Sequence, residues 1–259
     1  MQFVCCAFAN ELELVKEAGF QAVELRGKEI AAMSDEDFKV LRSELDRLEL
    51  HCVGFNAYCP AEIVIAGPGY SRENTRNYAK HLAERAAALS ISQVGIGSPM
   101  SRTLPEGYDR NLAFSQVCEF CADTAEQFAP VSVNTGFEPL CESYCNFINT
   151  CDEGLQVIQA VNDPHVGLIL DYYNLERQGE SDRSLDDLLG HILHVHISDD
   201  VAGDPSQRFT LNPEKYEIHR QRLQYLQRIG YNGTVSVETD LPLARQNMGQ
   251  TLRFLLHSL

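Results

Sequence analysis

Eight short runs rich in Val, Ile, Leu and Phe recur along the whole chain, each followed by a stretch of helical periodicity. This strict alternation limits the fold more than any other feature. The runs cover residues 3–8, 22–27, 51–57, 93–99, 131–140, 166–174, 192–199 and 233–240. They read as buried parallel strands, apolar on both faces. Between them, stretches such as 10–20, 35–50, 72–90 and 108–128 return apolar residues every three or four positions, as amphipathic helices do. Asn10, Ser34 and Asp109 stand where helix N-caps are expected. Strand–helix repetition requires right-handed crossovers and a parallel sheet. An open doubly wound sheet would carry a glycine-rich turn after its first strand. Here that strand runs into Ala9-Asn10-Glu11. Eight units in 259 residues therefore predict one (β/α)8 TIM barrel spanning 1–259 as a single domain.

Bulk properties narrow the function. The formal net charge is −16 and no basic cluster interrupts it, which argues against nucleic acid as a partner. No apolar stretch approaches the roughly 20 residues of a membrane span. The start, MQFVCCAFAN, lacks the basic region and cleavage pattern of a signal peptide and reads as the first strand, so a cytoplasmic location is expected. In that setting the nine cysteines are expected to be reduced, with Cys118 and Cys121 acting as small buried hydrophobes rather than a redox or metal pair. Residues 200–215 hold Gly203, Pro205 and Pro213 and read as a long polar loop after strand seven.

In an α/β barrel, chemistry gathers at the C-terminal ends of the strands. Strand five ends in Glu138, strand six in Asp171, strand seven in His194 and His196, and strand eight in Glu238. Each carboxylate follows an apolar run with no Lys or Arg close by in sequence, so it must be paired or metal-bound. His194 and His196 share a face. His196 is nearer the strand end and is the expected ligand, with His194 structural, one layer deeper. Three carboxylates and one imidazole suit one hard divalent cation, Mn²⁺ first, with Mg²⁺, Co²⁺ or Zn²⁺ as alternatives. Glu24 and Arg26 at the end of strand two and Asn56 at the end of strand three are further candidates for binding a substrate hydroxyl.

A cation that binds adjacent oxygens of an α-hydroxy ketone acidifies the C–H between them. One carboxylate can take that proton and a second can return it. Glu138 and Glu238 come from strands five and eight, so they can flank a substrate and are the expected catalytic pair. Return of the proton to the same carbon from the opposite face gives epimerisation, and return to the neighbouring carbon gives isomerisation. Loss of a β-substituent gives dehydration or lyase chemistry. A non-catalytic or partner-dependent sugar-binding barrel is the reading from a different class. Homo-oligomer formation is left open.

The segments 136–140, 146–150, 170–174, 194–199 and 236–238 resemble the xylose isomerase-like barrel family of sugar isomerases, ketose 3-epimerases and inosose dehydratases. The resemblance implies a small carbohydrate substrate, a metal quartet at Glu138, Asp171, His196 and Glu238, and the two glutamates as acid and base. Segment 97–102 resembles the family's substrate-side loop after strand four, which makes Arg102 a substrate-contact candidate. The epimerase pattern is broken at three places. Asn174 stands where epimerases carry a histidine, Ala202 where they carry an arginine, and Tyr144 where they carry a glutamate. Asn174, and Arg208 later in the same loop, are the expected substitutes for substrate contact. The DNA-repair nuclease branch of the superfamily needs additional histidines for three zinc ions, and neither Asn174 nor the acidic charge fits it.

Overall fold

The computed structural model of the chain describes residues 1–201 and 204–259. Its strands are β1 (Gln2–Ala7), β2 (Ala22–Arg26), β3 (His51–Asn56), β4 (Gln93–Ile96), β5 (Asn134–Phe137), β6 (Val166–Asp171), β7 (Ile192–Ile197), β8 (Asp199–Val201), β9 (Asp204–Phe209) and β10 (Thr234–Val237). β1 to β7 and β10 close into a parallel barrel in the order β1-β10-β7-β6-β5-β4-β3-β2. These eight are the strands expected from the sequence. The helices between them are α1 (Leu12–Ala18), α2 (Gly27–Ala32), α3 (Asp35–Leu48), α4 (Arg72–Leu89), α5 (Arg110–Phe128), α6 (Cys151–Val161), α7 (Tyr172–Gln178), α8 (Tyr216–Ile229) and α9 (Arg245–Leu256). Among the described residues, no helix is long and apolar enough to cross a membrane.

The outward faces of the strands bury Leu25, Phe55, Val94, Phe137, Val195 and Val237 against apolar helix residues such as Val15, Leu82 and Phe120. This one continuous layer supplies most of the apolar burial that stabilises the fold. Inside the barrel the space is tighter. A Cβ on Gly95 would lie 2.6 Å from Ile169 Cδ1, and one on Gly136 would lie 2.7 Å from Ile169 Cγ1. Two missing side chains on β4 and β5 thus make room for one isoleucine from β6, which plugs the barrel beneath Asp171.

Several local expectations need correction. Ser34 and Asp109 do cap α3 and α5, accepting backbone N–H groups at their helix starts. Asn10 does not cap a helix. It lies inside a short 3-10 turn, and the carboxylate of Glu11 accepts the Phe8 N–H at 2.9 Å instead. β5 is shorter than the run at 131–140, because Pro130 sits in a 3-10 turn on one side and Pro139 ends the ladder on the other. β6 stops at Asp171, whose Oδ1 accepts the Tyr173 N–H at 2.9 Å and so starts α7 at once. The long polar loop is largely an antiparallel hairpin, with Asp199 opposite Phe209 and Asp200 opposite Arg208. Ala202 and Gly203 lie outside the described residues.

Candidate metal centre

Glu138, Asp171, His196 and Glu238 each offer one ligand atom to a cluster whose members all lie within 4.8 Å of one another. The ladder delivers them in spatial order. The Glu138 N–H donates to Ile96 O and the Glu238 N–H to Ile197 O, so both glutamates continue their strands by one residue. Asp171 pairs in register with His196. Gly97, across from Glu138, leaves room for that side chain: a Cβ there would lie 2.6 Å from Glu138 Oε2 and would displace the carboxylate.

The histidine is oriented from below. His196 Nε2 lies 3.1 Å from Glu24 Oε2, so Nδ1 faces the cluster, 3.2 Å from Glu238 Oε2 and 3.8 Å from Glu138 Oε1. Nδ1 is buried and has no hydrogen bond of its own. His194 lies a layer deeper, with Nε2 3.0 Å from the same Glu24 oxygen and Nδ1 2.5 Å from Thr234 Oγ1. The Cys6 thiol also donates to Glu24 Oε2, at 3.3 Å. Two buried carboxylates and the half-buried Glu238 around one free imidazole nitrogen form a hard donor set that fits a single divalent cation. A carboxylate behind a ligating histidine is the usual outer-shell arrangement of such sites.

Arg208 enters the cluster from β9. Its Nη1 lies 2.6 Å from Asp171 Oδ2 and 2.5 Å from Glu238 Oε2, and its guanidinium packs over the rings of Tyr173 at 4.6 Å and Tyr144 at 5.3 Å. The electrostatics follow from these neighbours. Burial pushes the Glu138 carboxyl up, and the nearby Glu238 charge adds to this against the opposing pull of His196. Burial would also raise Glu238, but Arg208 and His196 outweigh it and hold that carboxyl low. Glu24 is likewise held well below the usual range, because His194 and His196 outweigh its complete burial.

Of the residues expected to touch substrate, Glu24, Arg102, Asn174 and Asn56 do not line the main cavity. Glu24 is fully buried beneath the histidines. Arg102 is fully buried too, donating to the Glu138 carbonyl at 2.7 Å with its guanidinium over Phe137. The Asn174 amide is committed on both sides, since Oδ1 accepts from Cys141 N–H and Nδ2 donates to Asp171 Oδ2 and Glu138 Oε1. Asn56 donates to Glu238 Oε1 at 3.2 Å and does not line the main cavity. These groups hold the cluster in place. Arg26 and Arg208 are the expected residues that do line that cavity, an opening of about 470 Å³ that also exposes Glu138, Glu238, Tyr144 and Lys28.

A family model described as Xylose isomerase-like TIM barrel matches residues 12–256. The chain belongs to that family. No curated protein matches it. Among solved structures, a D-allulose 3-epimerase from Methylomonas sp. is 15% identical, with a TM-score of 0.82 over 100% of this chain and 98% of that one. A 3-keto-D-glucoside 4-epimerase from E. coli is 16% identical, with a TM-score of 0.77 over 99% of each chain. An AP endonuclease, family 2, from Brucella melitensis is 22% identical, with a TM-score of 0.75 over 99% of this chain and 98% of that one. At these identities the likeness is one of fold. Within this xylose isomerase-like barrel, Tyr144, noted in the sequence only as standing where epimerases carry a glutamate, forms a wall of the cavity.

Proposed function

We propose that the protein is a divalent-metal-dependent isomerase or epimerase acting on a sugar, sugar phosphate or related polyol ketone, with Mn²⁺ as the first choice of ion. The observation that carries this reading is the convergence of Glu138, Asp171, His196 and Glu238 at the edge of an open cavity. A divalent ion bound there would supply Lewis acidity next to the substrate carbonyl. Glu238, held ionised beside Arg208, is ready to take the proton from the adjacent carbon. Glu138, whose burial raises its proton affinity, is ready to give one back from the other flank. Asp171 and His196 hold the centre, fixed by Asn174 and Glu24. Arg208, anchored on two tyrosine rings, pairs with Asp171 and Glu238 at the edge of the cavity. The epimerase names of two structural neighbours support a ketone-bearing carbohydrate substrate.

The test is solvent deuterium uptake into a panel of ketoses with the Mn²⁺-loaded protein. Exchange at the carbon next to the carbonyl is expected, with inverted or isomerised product. Exchange followed by loss of a hydroxyl would move the assignment to the dehydratase alternative. Absence of exchange across the panel, or cleavage of abasic-site DNA, would overturn the reading.

A further inference from the structure

We propose that the cavity seats an anionic group of the substrate, a carboxylate or a phosphate ester, between Arg26 and Lys28. This rests on the assignment of the cavity as the substrate site and adds the substrate's charge class.

Arg26 ends β2 and Lys28 lies two residues on, with Gly27 between them. The turn is held tightly against the segment after β3. The Lys28 N–H donates to Ala57 O at 3.2 Å, and a Cβ on Gly27 would lie 2.9 Å from Tyr58 O. Only a glycine allows this approach, and the approach brings both basic side chains to the wall of the cavity that exposes Glu138 and Glu238.

Both cations lack partners. Among the described residues, neither makes an ion pair within 4.0 Å or a side-chain hydrogen bond, and Arg26 Nε is buried without any acceptor. The Arg26 guanidinium rests its face on Phe8 at 4.3 Å, which leaves its edge free for planar contact with an oxyanion. Glu29 feels the Arg26 charge but spends its carboxylate on the Ala9 N–H. Burial, and then the Arg26 charge beside it, hold the Lys28 ammonium below its usual range. Two like charges that disfavour each other are stabilised by an anion placed between them. The contrast with the rest of the molecule is sharp. The chain carries a net charge of −16, and the third cation on this cavity, Arg208, is consumed by Asp171 and Glu238. A neutral sugar would leave Arg26 and Lys28 unpaired and partly desolvated on binding, at a cost that an anionic substrate avoids.

Calorimetric titration of the Mn²⁺-loaded protein with inorganic phosphate and, separately, with glycolate reads the seat without turnover. At least one is expected to bind. Its affinity should fall about tenfold or more in Arg26→Met and in Lys28→Met, with the circular dichroism melt unchanged. Preference for phosphate assigns a phosphate ester and preference for glycolate a carboxylate. Equal affinity in wild type and the double variant, or no binding of either anion, would overturn the proposal. Failure of the isomerase reading is separate: a protein that binds the anion through these residues yet exchanges no α-proton loses that reading and keeps this one.

Discussion

At the scale of single residues, the cluster divides into groups that meet the cavity and groups that hold those in place. Glu138 and Glu238 belong to the first kind. Replacing either with Gln keeps an oxygen ligand but removes the proton carrier. Turnover should fall about 10² to 10⁴-fold with Mn²⁺ still bound, whereas Asp171→Asn or His196→Asn should lose metal first and recover part of the activity in excess Mn²⁺. Near wild-type rates in both Gln variants would place the proton carriers elsewhere. Glu24 belongs to the second kind. One of its oxygens serves His194, His196 and Cys6, and its other oxygen is buried without a partner. Glu24→Gln preserves the shape and removes the charge that orients His196. Mn²⁺ affinity measured by calorimetry should drop about 10 to 100-fold. An unchanged affinity would show that His196 is oriented by packing alone.

At the scale of elements, the β8–β9 hairpin carries Arg208 into the centre, and Asp199 ties that hairpin to α8. Its Oδ2 accepts from the Asn212 N–H at 2.7 Å and lies 2.7 Å from His219 Nε2, and Lys215 Nζ is 3.3 Å from Oδ1. Burial would raise the Asp199 carboxyl, but His219, the Asn212 N–H and Lys215 outweigh it, so it is held below its ordinary value of 3.8. A carboxyl depressed in the folded state contributes stability above its unfolded value and loses it as pH falls through the folded one. Denaturant unfolding followed below about pH 4 should therefore show a loss of stability that Asp199→Asn flattens. A variant with the wild-type slope would assign the acid sensitivity to other carboxylates. The hairpin also explains why a loop was expected here. β8 has only three residues, and both strands carry charged residues such as Asp199, Asp200 and Arg208, so no apolar alternation marks them as strands.

At the scale of the whole molecule, the barrel closes a ring of strands around three clustered carboxylates, and a cation bound there stabilises the folded chain only. Chelation should therefore lower the melting temperature, and Mn²⁺ at about 100 times its dissociation constant should restore about 2.7 kcal/mol of stability. A melt indifferent to chelator and to Mn²⁺ would argue against a resident ion. The sequence by itself determined the eight-unit alternation, the closure into a barrel and the strand ends that carry Glu138, Asp171, His196 and Glu238. These are local properties: hydrophobic period and position along a strand survive in a linear reading. The tertiary structure alone decided which polar groups face the cavity. Glu24, Asn56 and Arg102 occupy or follow strand ends just as the quartet does, yet they point below, beside or behind it, because barrel tilt and stagger set the depth of each side chain. The same holds for Arg208, which reaches Asp171 from 37 residues away only because β8 and β9 fold back over the barrel mouth. Pairings between groups so far apart in sequence depend on the closed ring, and no local pattern of residue types encodes them.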